Sequence, residues 1–129
     1  MLSSIVLLSS GLDSCLALVE AIKSTKVAYA LTFDYGQRAK KREIALARKI
    51  AKYYHLSHRV IRLPYFKDVN KHVWVPNRNG VFLNIAAAIA EKNKIDRIYV
   101  GFNREEAHNF PDNSIAYIKY VNCCFKYST

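Results

Sequence analysis

The residue types best suited to binding an anion lie in one short segment, Leu8-Ser9-Ser10-Gly11-Leu12-Asp13-Ser14, between an apolar run and a helical pattern. A turn from a strand into a helix leaves backbone N–H groups without partners, and the helix dipole adds positive potential there. Gly11 lets the backbone approach an anion closely, and serine hydroxyls can donate hydrogen bonds. The alternative is that Asp13 and Ser14 only cap the helix. The segment has no Gly-Lys-Ser/Thr and is therefore not a Walker loop.

Charged residues follow the apolar runs further along the chain. Asp34 is a candidate ligand for magnesium or a ribose, with capping of its own turn as the alternative. Arg38, Lys40 and Lys41 stand near the start of a predicted helix, where cations oppose the dipole. A solvated basic face is one explanation, and a nearby triphosphate is the other. We prefer Arg38 and Arg78 as phosphate contacts.

The cysteines and histidines give weaker signals. Three cysteines, of which Cys123 and Cys124 are adjacent, indicate no disulfide framework, and a reducing cytoplasmic setting is expected. Cys15 is expected to be a small buried apolar residue rather than a nucleophile. His55 and His58 are expected to be surface histidines rather than metal ligands.

The hydrophobic periodicity predicts the elements that position these residues. Apolar runs of strand length alternate with helical patterns, which indicates a parallel sheet with right-handed crossovers and a ligand at the carboxyl ends of the strands. Gly80 is expected to stand just before the third helix. The fold class is therefore α/β, with three layers and helices on both faces of about four strands. The predicted strands cover residues 4–8, 27–33, 58–63 and 97–100, and the last helix covers residues 115–125.

Composition bounds the function. The chain has 129 residues, of which 51% are hydrophobic, so one domain with a single core is expected and a disordered tail is excluded. Lys and Arg number 20 against 10 Asp and Glu, and the formal net charge of +10 predicts a polyanionic partner. No apolar run approaches the roughly 20 residues of a membrane span, so no membrane contact is expected.

Four sequence blocks carry a resemblance to a known family. Residues 9–14 resemble the Ser-Gly-Gly-x-Asp-Ser loop of the PP-loop ATP pyrophosphatases. Leu-Thr-Phe-Asp-Tyr-Gly-Gln-Arg at 31–38 resembles the 7-cyano-7-deazaguanine synthases of queuosine and archaeosine biosynthesis. So do Val-Pro-Asn-Arg-Asn-Gly-Val-Phe-Leu at 75–83 and the pair Gly-Phe-Asn at 101–103 with Phe-Pro-Asp at 110–112. The resemblance runs in order from residue 5 to about residue 122.

The resemblance implies a single PP-loop domain over residues 1–129, with an adenine nucleotide alpha hydrolase-like fold. It implies an ATP-dependent ligase that uses Mg²⁺ and ammonia and adenylates the carboxylate of a deazapurine. Asp13 and Arg78 are the implied catalytic residues, and Asn79, Asn103 and Asp112 the implied substrate contacts. The implied ATP-binding residues are Leu8, Ser9, Ser10, Gly11, Leu12, Asp13, Ser14, Cys15, Leu16, Ala17, Leu18, Asp34 and Arg38.

The sequence departs from the family pattern in and near the segments that the resemblance implies bind ATP. Ser10 replaces a loop glycine, which restricts the backbone and supplies a hydroxyl. Asn77 also replaces a glycine, and asparagine tolerates a left-handed backbone better than most residues. The connection from residue 64 to 74 is shorter than the usual family insertion.

The segments that the resemblance implies bind the acceptor, the deazapurine carboxylate, depart further from the family pattern. Asn113 and Ser114 replace a Cys-Arg pair of the family, and the chain ends at Thr129, before the family's zinc-binding cysteine segment. Adjacent Cys123 and Cys124 do not have zinc-site spacing, so no metal site is expected in this chain. We therefore expect ATP binding with slow or absent formation of the nitrile product.

Two further functions are considered beside the ligase. The first is a PP-loop enzyme acting on tRNA, which the net charge suggests and which makes tRNA a candidate partner. The second is a nucleotide- or RNA-binding remnant without turnover. A homodimer is also expected, because an apolar helix face around Tyr117, Val121 and Phe125 and an early sheet edge would be left exposed.

Overall fold

The computed structural model describes residues 1–9, 11–36, 40–64, 77–101 and 114–129. Strands and helices alternate within these ranges, as the sequence predicts. Each strand begins and ends within one residue of its predicted position. The elements are β1 (Ser3–Leu7), α1 (Leu12–Ser24), β2 (Lys26–Asp34), α2 (Lys40–Tyr53), β3 (His58–Arg62), α3 (Arg78–Lys92), β4 (Arg97–Tyr99) and α4 (Ile115–Ser128).

The four strands form one parallel sheet in the order β3-β2-β1-β4. The chain thus builds outward from β1 to β3 and then crosses to the other side of β1. In such sheets the ligand crevice lies outside the carboxyl ends of the strands, where the order reverses. Here that point is beside β1, whose carboxyl end leads into residues 9–14. The predicted three-layer α/β architecture is confirmed.

Alternating residues of β1 build the two halves of the core. Val6 lies in a cluster with Leu18 of α1 and with Ala47 and Ala51 of α2. Its neighbour Ile5 lies in a cluster on the other face of the sheet, with residues of α3. Both are fully buried, since successive strand residues point to opposite faces and both faces carry helices.

The start of α3 corrects one expectation. The helix begins at Arg78, so Gly80 lies inside its first turn rather than before it. Asn77 is the N-cap residue, with φ 50° and ψ 31°, and the prediction that it tolerates a left-handed backbone is confirmed. A Cβ on Gly80 would lie too close to the side chain of Asn77 and 2.9 Å from the hydroxyl oxygen of Tyr117, so this glycine leaves room for both side chains.

The apolar face of α4 is turned toward the rest of the chain. Val121 and Phe125 line a space against Leu83 of α3 and Ile98 of β4, and Tyr117 reaches Gly80. The three predicted dimer residues are half-buried against the chain's own elements rather than fully exposed. The dimer itself stays a prediction. Within the described ranges, no helix has the length and apolar character needed to cross a membrane.

Candidate functional site

A cavity of about 380 Å³ lies at the carboxyl ends of β1, β2 and β4, where the topology places the ligand crevice. The segment after β1, the first turns of α1 and α3 and the end of β2 form its walls. Most of the predicted loop residues and two predicted residues of α3 meet in it. They are Leu8, Ser9, Gly11, Leu12, Asp13, Ser14, Arg78 and Asn79.

Two serines fix the shape of the loop from within. The Oγ of Ser14 accepts a hydrogen bond from the backbone N–H of Ser9 at 3.0 Å, and the two hydroxyl oxygens are 3.0 Å apart. The backbone N–H of Gly11 donates to the Oγ of Ser9 at 3.1 Å. Gly11 is the N-cap residue of α1 and makes no side-chain cap. The hydroxyl of Ser14 thus ties the loop together rather than capping an amide of α1, and capping by Asp13 stays an alternative.

The backbone of Gly101, just after β4, approaches the first turn of α1 closely. A Cβ on Gly101 would lie 2.5 Å from the carbonyl oxygen of Asp13 and 2.6 Å from the amide nitrogen of Ser14. Real Cβ atoms are not found so close to backbone atoms, so any larger residue would displace one of the two segments. Gly101 thus sets how near β4 lies to the helix N-terminus that faces the cavity.

Two hydrogen bonds, made by side chains of β2 and β3, support the loop that follows β1. The hydroxyl of Thr32 on β2 donates to the carbonyl oxygen of Leu8 at 2.7 Å, and its oxygen lies 2.7 Å from Nε2 of His58 on β3. Because the single hydroxyl proton goes to Leu8, the ring of His58 donates to Thr32 through Nε2–H. Thr32 is 3% exposed. These hydrogen bonds therefore link the segment after β1 to β2 and to the first residue of β3.

His58 is not the surface histidine that the sequence predicted. Its side chain is half-buried, and burial first, then the positive charge of Arg48, lowers its pKa below the ordinary value of 6.5. The ring is thus held neutral as a donor within the sheet. Parallel pairing of β3 with β2 produces this contact, which the sequence spacing alone does not reveal.

Three aromatic rings and one guanidinium form another wall of the cavity. Phe33 and Phe82 are stacked with centroids 4.1 Å apart, and Tyr35 lies 5.5 Å from Phe82. A guanidinium nitrogen of Arg78 donates to the hydroxyl of Tyr35 at 3.2 Å, and its central carbon is 5.6 Å from the Tyr35 ring centroid. This wall combines a flat apolar surface with a positive charge that Tyr35 orients.

Asp13 and Glu43 contribute the acidic side chains to the described lining of the cavity. Magnesium in nucleotide sites is typically held by one or two carboxylates together with phosphate oxygens, so this donor set fits Mg²⁺. Nowhere in the described ranges do three or more His, Cys, Asp or Glu side chains come together as a metal site. Glu43 was missed by the sequence reasoning. The signal available was its place in the first turn of the helix that follows β2.

Other predicted residues lie away from the cavity. The carboxylate of Asp34 accepts a hydrogen bond from the backbone N–H of Gly36 at 3.2 Å and lies 3.9 Å from Nζ of Lys40. Asp34 therefore caps its own turn, as the alternative interpretation of the sequence predicted. Leu18 is fully buried in the core, and Cys15 lines a separate apolar space between α1 and α2. Leu16 and Ala17 lie on α1 outside the cavity lining. The predicted residues Ser10, Arg38, Asn103 and Asp112 fall outside the described residues.

Comparisons with known proteins identify relatives that agree with one another in their family. A family model described as queuosine biosynthesis protein QueC matches residues 3–72 and 66–129. The 7-cyano-7-deazaguanine synthase of Methanosarcina barkeri is 42% identical over 160 residues, which covers 99% of this chain and 69% of that protein. The synthase of Pelotomaculum thermopropionicum is 43% identical over 155 residues, covering 98% and 70% respectively.

These alignments also bear on the connection after β3. They span more positions than the 129 residues of this chain, so the relatives carry internal residues that it lacks. The two segments matched by the family model overlap at residues 66–72. That overlap lies within the connection from residue 64 to 74, and its being shorter than in the family stays a prediction.

A solved structure resembles the fold. It is the crystal structure of a predicted subunit of tRNA methyltransferase from Methanocaldococcus jannaschii, with a TM-score of 0.62 and 21% identity. The likeness covers 98% of this chain and 65% of that one, so this chain spans somewhat less than two thirds of its length. At this identity the likeness supports the architecture alone. The family match and the identity of about 40% to named synthases carry the assignment: the chain belongs to the QueC family of queuosine biosynthesis proteins.

Proposed function

We propose that this protein binds Mg-ATP in the cavity at the end of β1 and uses it to activate the carboxylate of a deazapurine by adenylation. The observation that carries the proposal is the N-terminus of α1, which faces the cavity with a glycine at its N-cap and no side-chain cap. Backbone amides at such a position bind phosphate oxygens, and the helix dipole strengthens the interaction. The relatives named 7-cyano-7-deazaguanine synthase support the choice of acceptor.

Each wall of the cavity has a part in this proposal. The loop of Ser9, Gly11 and Ser14 is tied by internal hydrogen bonds, so it needs little reorganisation to receive phosphates. Arg78 is held by Tyr35 and supplies a positive charge that offsets charge developing on the phosphates. Asp13 and Glu43 would hold Mg²⁺, which neutralises phosphate charge when bound.

The aromatic wall and Asn79 suit the planar parts of the two substrates. Phe33 and Phe82 present ring surface beside the cavity, and aromatic rings pack well against flat heterocycles. Asn79 is 7% exposed and lines the same cavity, where its amide can donate and accept hydrogen bonds. We assign Asn79 to the acceptor, and keep Asn103 and Asp112 as proposed acceptor contacts from the sequence.

No side-chain nucleophile is required for this reaction. The carboxylate of the acceptor attacks the α-phosphate of ATP, the bond to the β-phosphate breaks, and pyrophosphate leaves. The protein's part is to hold the reactants in line and to stabilise charge, and such positioning accounts for about 7–11 kcal/mol of a barrier in favourable cases. The tied loop and the oriented Arg78 are the features of this chain that supply it.

Nucleotide titrations of two variants test the binding step. Gly11→Val should abolish measurable ATP binding, because the added side chain blocks phosphate approach. The backbone of Gly11, at φ −75° and ψ 156°, suits valine, so the variant should still fold. Asp13→Ala should remove the Mg²⁺ dependence of ATP affinity. The matched control is Glu20→Ala, which removes an exposed carboxylate from the same helix outside the cavity. Unchanged titrations for both site variants would refute the assignment.

Isotope exchange tests the chemical step separately. With 7-carboxy-7-deazaguanine present, labelled pyrophosphate should enter ATP only if the carboxylate is adenylated reversibly. Mass spectrometry with ammonia added would detect the nitrile. ATP binding without exchange would leave the nucleotide site in place and refute adenylation. This outcome would correspond to a nucleotide-binding protein without turnover.

A further inference from the structure

A second groove, of about 820 Å³, lies at the carboxyl ends of β2 and β3, next to the nucleotide cavity. The walls are α2, the end of β3 and the turn after β2. Its lining includes the cationic residues Lys40, Lys41, Arg48 and Arg62. We propose that this groove binds the sugar-phosphate backbone of a single-stranded nucleic acid. The proposal goes beyond the ligase function and does not depend on it.

Among the lining residues that the structure describes, positive charges outnumber negative ones. Asp34 is the acidic residue among the described lining residues, and its carboxylate lies 3.9 Å from Lys40. Lys41, Arg48 and Arg62 are exposed and leave a positive excess. Lys40 and Lys41 also stand in the first turn of α2, where the helix dipole disfavours a cation. A bound polyanion would offset both effects.

The positive charges are spread along the groove and come from both of its sides. Lys41 and Arg48 are seven residues apart, which places them on one face of α2 about 10.5 Å apart along its axis. Arg62 adds a third positive charge from β3, across the groove. Cations distributed along a groove in this way suit successive phosphates of a nucleic acid strand.

An aromatic residue at the edge of the groove favours a nucleic acid over a polyphosphate. Tyr35 lines both the groove and the nucleotide cavity. Proteins that bind single strands combine a basic groove with aromatic rings on which bases stack. The groove offers both features within one short stretch of surface, and the formal net charge of +10 adds long-range attraction.

The test measures binding of a fluorescent 12-nucleotide RNA and a DNA of the same sequence, by anisotropy over a series of salt concentrations. The groove variant is Lys41→Gln with Arg48→Gln. The matched control is Lys23→Gln with Lys92→Gln, which removes the same charge from exposed positions near the ends of α1 and α3, at the amino edge of the sheet. The groove variant should weaken binding about tenfold or more and reduce the salt slope by about 1.4, at roughly 0.7 per phosphate contact. The control should change affinity less than about threefold.

Several results would overturn the proposal. Equal losses in both double variants would assign the binding to net charge rather than to this groove. Binding of inorganic polyphosphate without binding of either nucleic acid would identify a different polyanion. Comparison of the affinities for RNA and for DNA shows which of the two nucleic acids the groove binds more tightly. Mg-ATP affinity, measured on the same variants, should not change, so failure of this proposal and failure of the nucleotide site are distinguishable.

Discussion

The replacement of Gly101 by alanine tests whether the close approach of β4 to α1 shapes the nucleotide site. The new Cβ would stand 2.5–2.6 Å from backbone atoms of Asp13 and Ser14. Ordinary contact lies near 3.5 Å, so the two segments must separate by about 1 Å. Both segments are backbone within regular packing and cannot rotate away as a side chain would. Overpacking of this kind costs about 1–3 kcal/mol.

Gly11→Ala is the matched comparison. Its Cβ would meet only the Oγ of Ser9, at 3.4 Å, and its φ of −75° is ordinary for alanine. Both substitutions restrict the unfolded chain equally, so that stabilising contribution of about 0.4–1 kcal/mol cancels in the comparison. Gly11→Ala also loses a favoured N-cap residue, at a cost of about 1 kcal/mol or less. Gly101→Ala should therefore be the less stable of the two, by up to about 3 kcal/mol.

The functional consequence follows from the same displacement. Moving the first turn of α1 by about 1 Å lengthens the hydrogen bonds that its amides would donate to phosphates. Hydrogen bonds to charged groups contribute about 1.5–3 kcal/mol each, so loss of one weakens ATP binding about tenfold or more. Urea unfolding measures the stability change. Mg-ATP titration measures the affinity, at a temperature where circular dichroism shows that the protein is folded. If Gly101→Ala matched the unsubstituted protein in both, the inferred role of Gly101 would be wrong.

Three further predictions follow from other contacts. Thr32→Val should destabilise the fold by about 1–3 kcal/mol for each polar group left unpaired at Leu8 and His58, whereas Thr32→Ser should keep most of the stability in urea unfolding. Because the pKa of His58 is lowered in the folded state, its contribution to stability is complete above about pH 6.5 and lost as the pH falls below it, with a slope of at most about 1.4 kcal/mol per pH unit. His58→Gln should flatten that part of the measured pH profile, and an unchanged profile would contradict the assignment. Sedimentation should show a homodimer at high micromolar concentration, since β4 is an edge strand of three residues, and a clean monomer would contradict it.

The order of elements and the loop after β1 were accessible from the sequence, because their signals are local. Apolar runs of strand length separated by helical spacing indicate parallel strands, and the Gly11 turn after the first strand predicts an anion site whatever surrounds it. The left-handed backbone of Asn77 was also accessible, since it depends on one residue's own sterics. Gly80 was misplaced because a helix start is set by its cap, and the capping residue is Asn77.

The contacts that complete the site depend on the tertiary structure. Strand order brings His58 and Thr32 together with Leu8 of the segment after β1, and no spacing along the chain encodes that order. Asp34 was expected in the site because it follows a strand, yet the turn after β2 directs its carboxylate to Gly36 and Lys40. Gly101 carries a signal in the sequence, but its effect on the first turn of α1 exists only once β4 lies beside β1. The sequence thus determined which segments line the cavity and in what order they come, whereas the distances between side chains were decided by how the sheet aligns those segments.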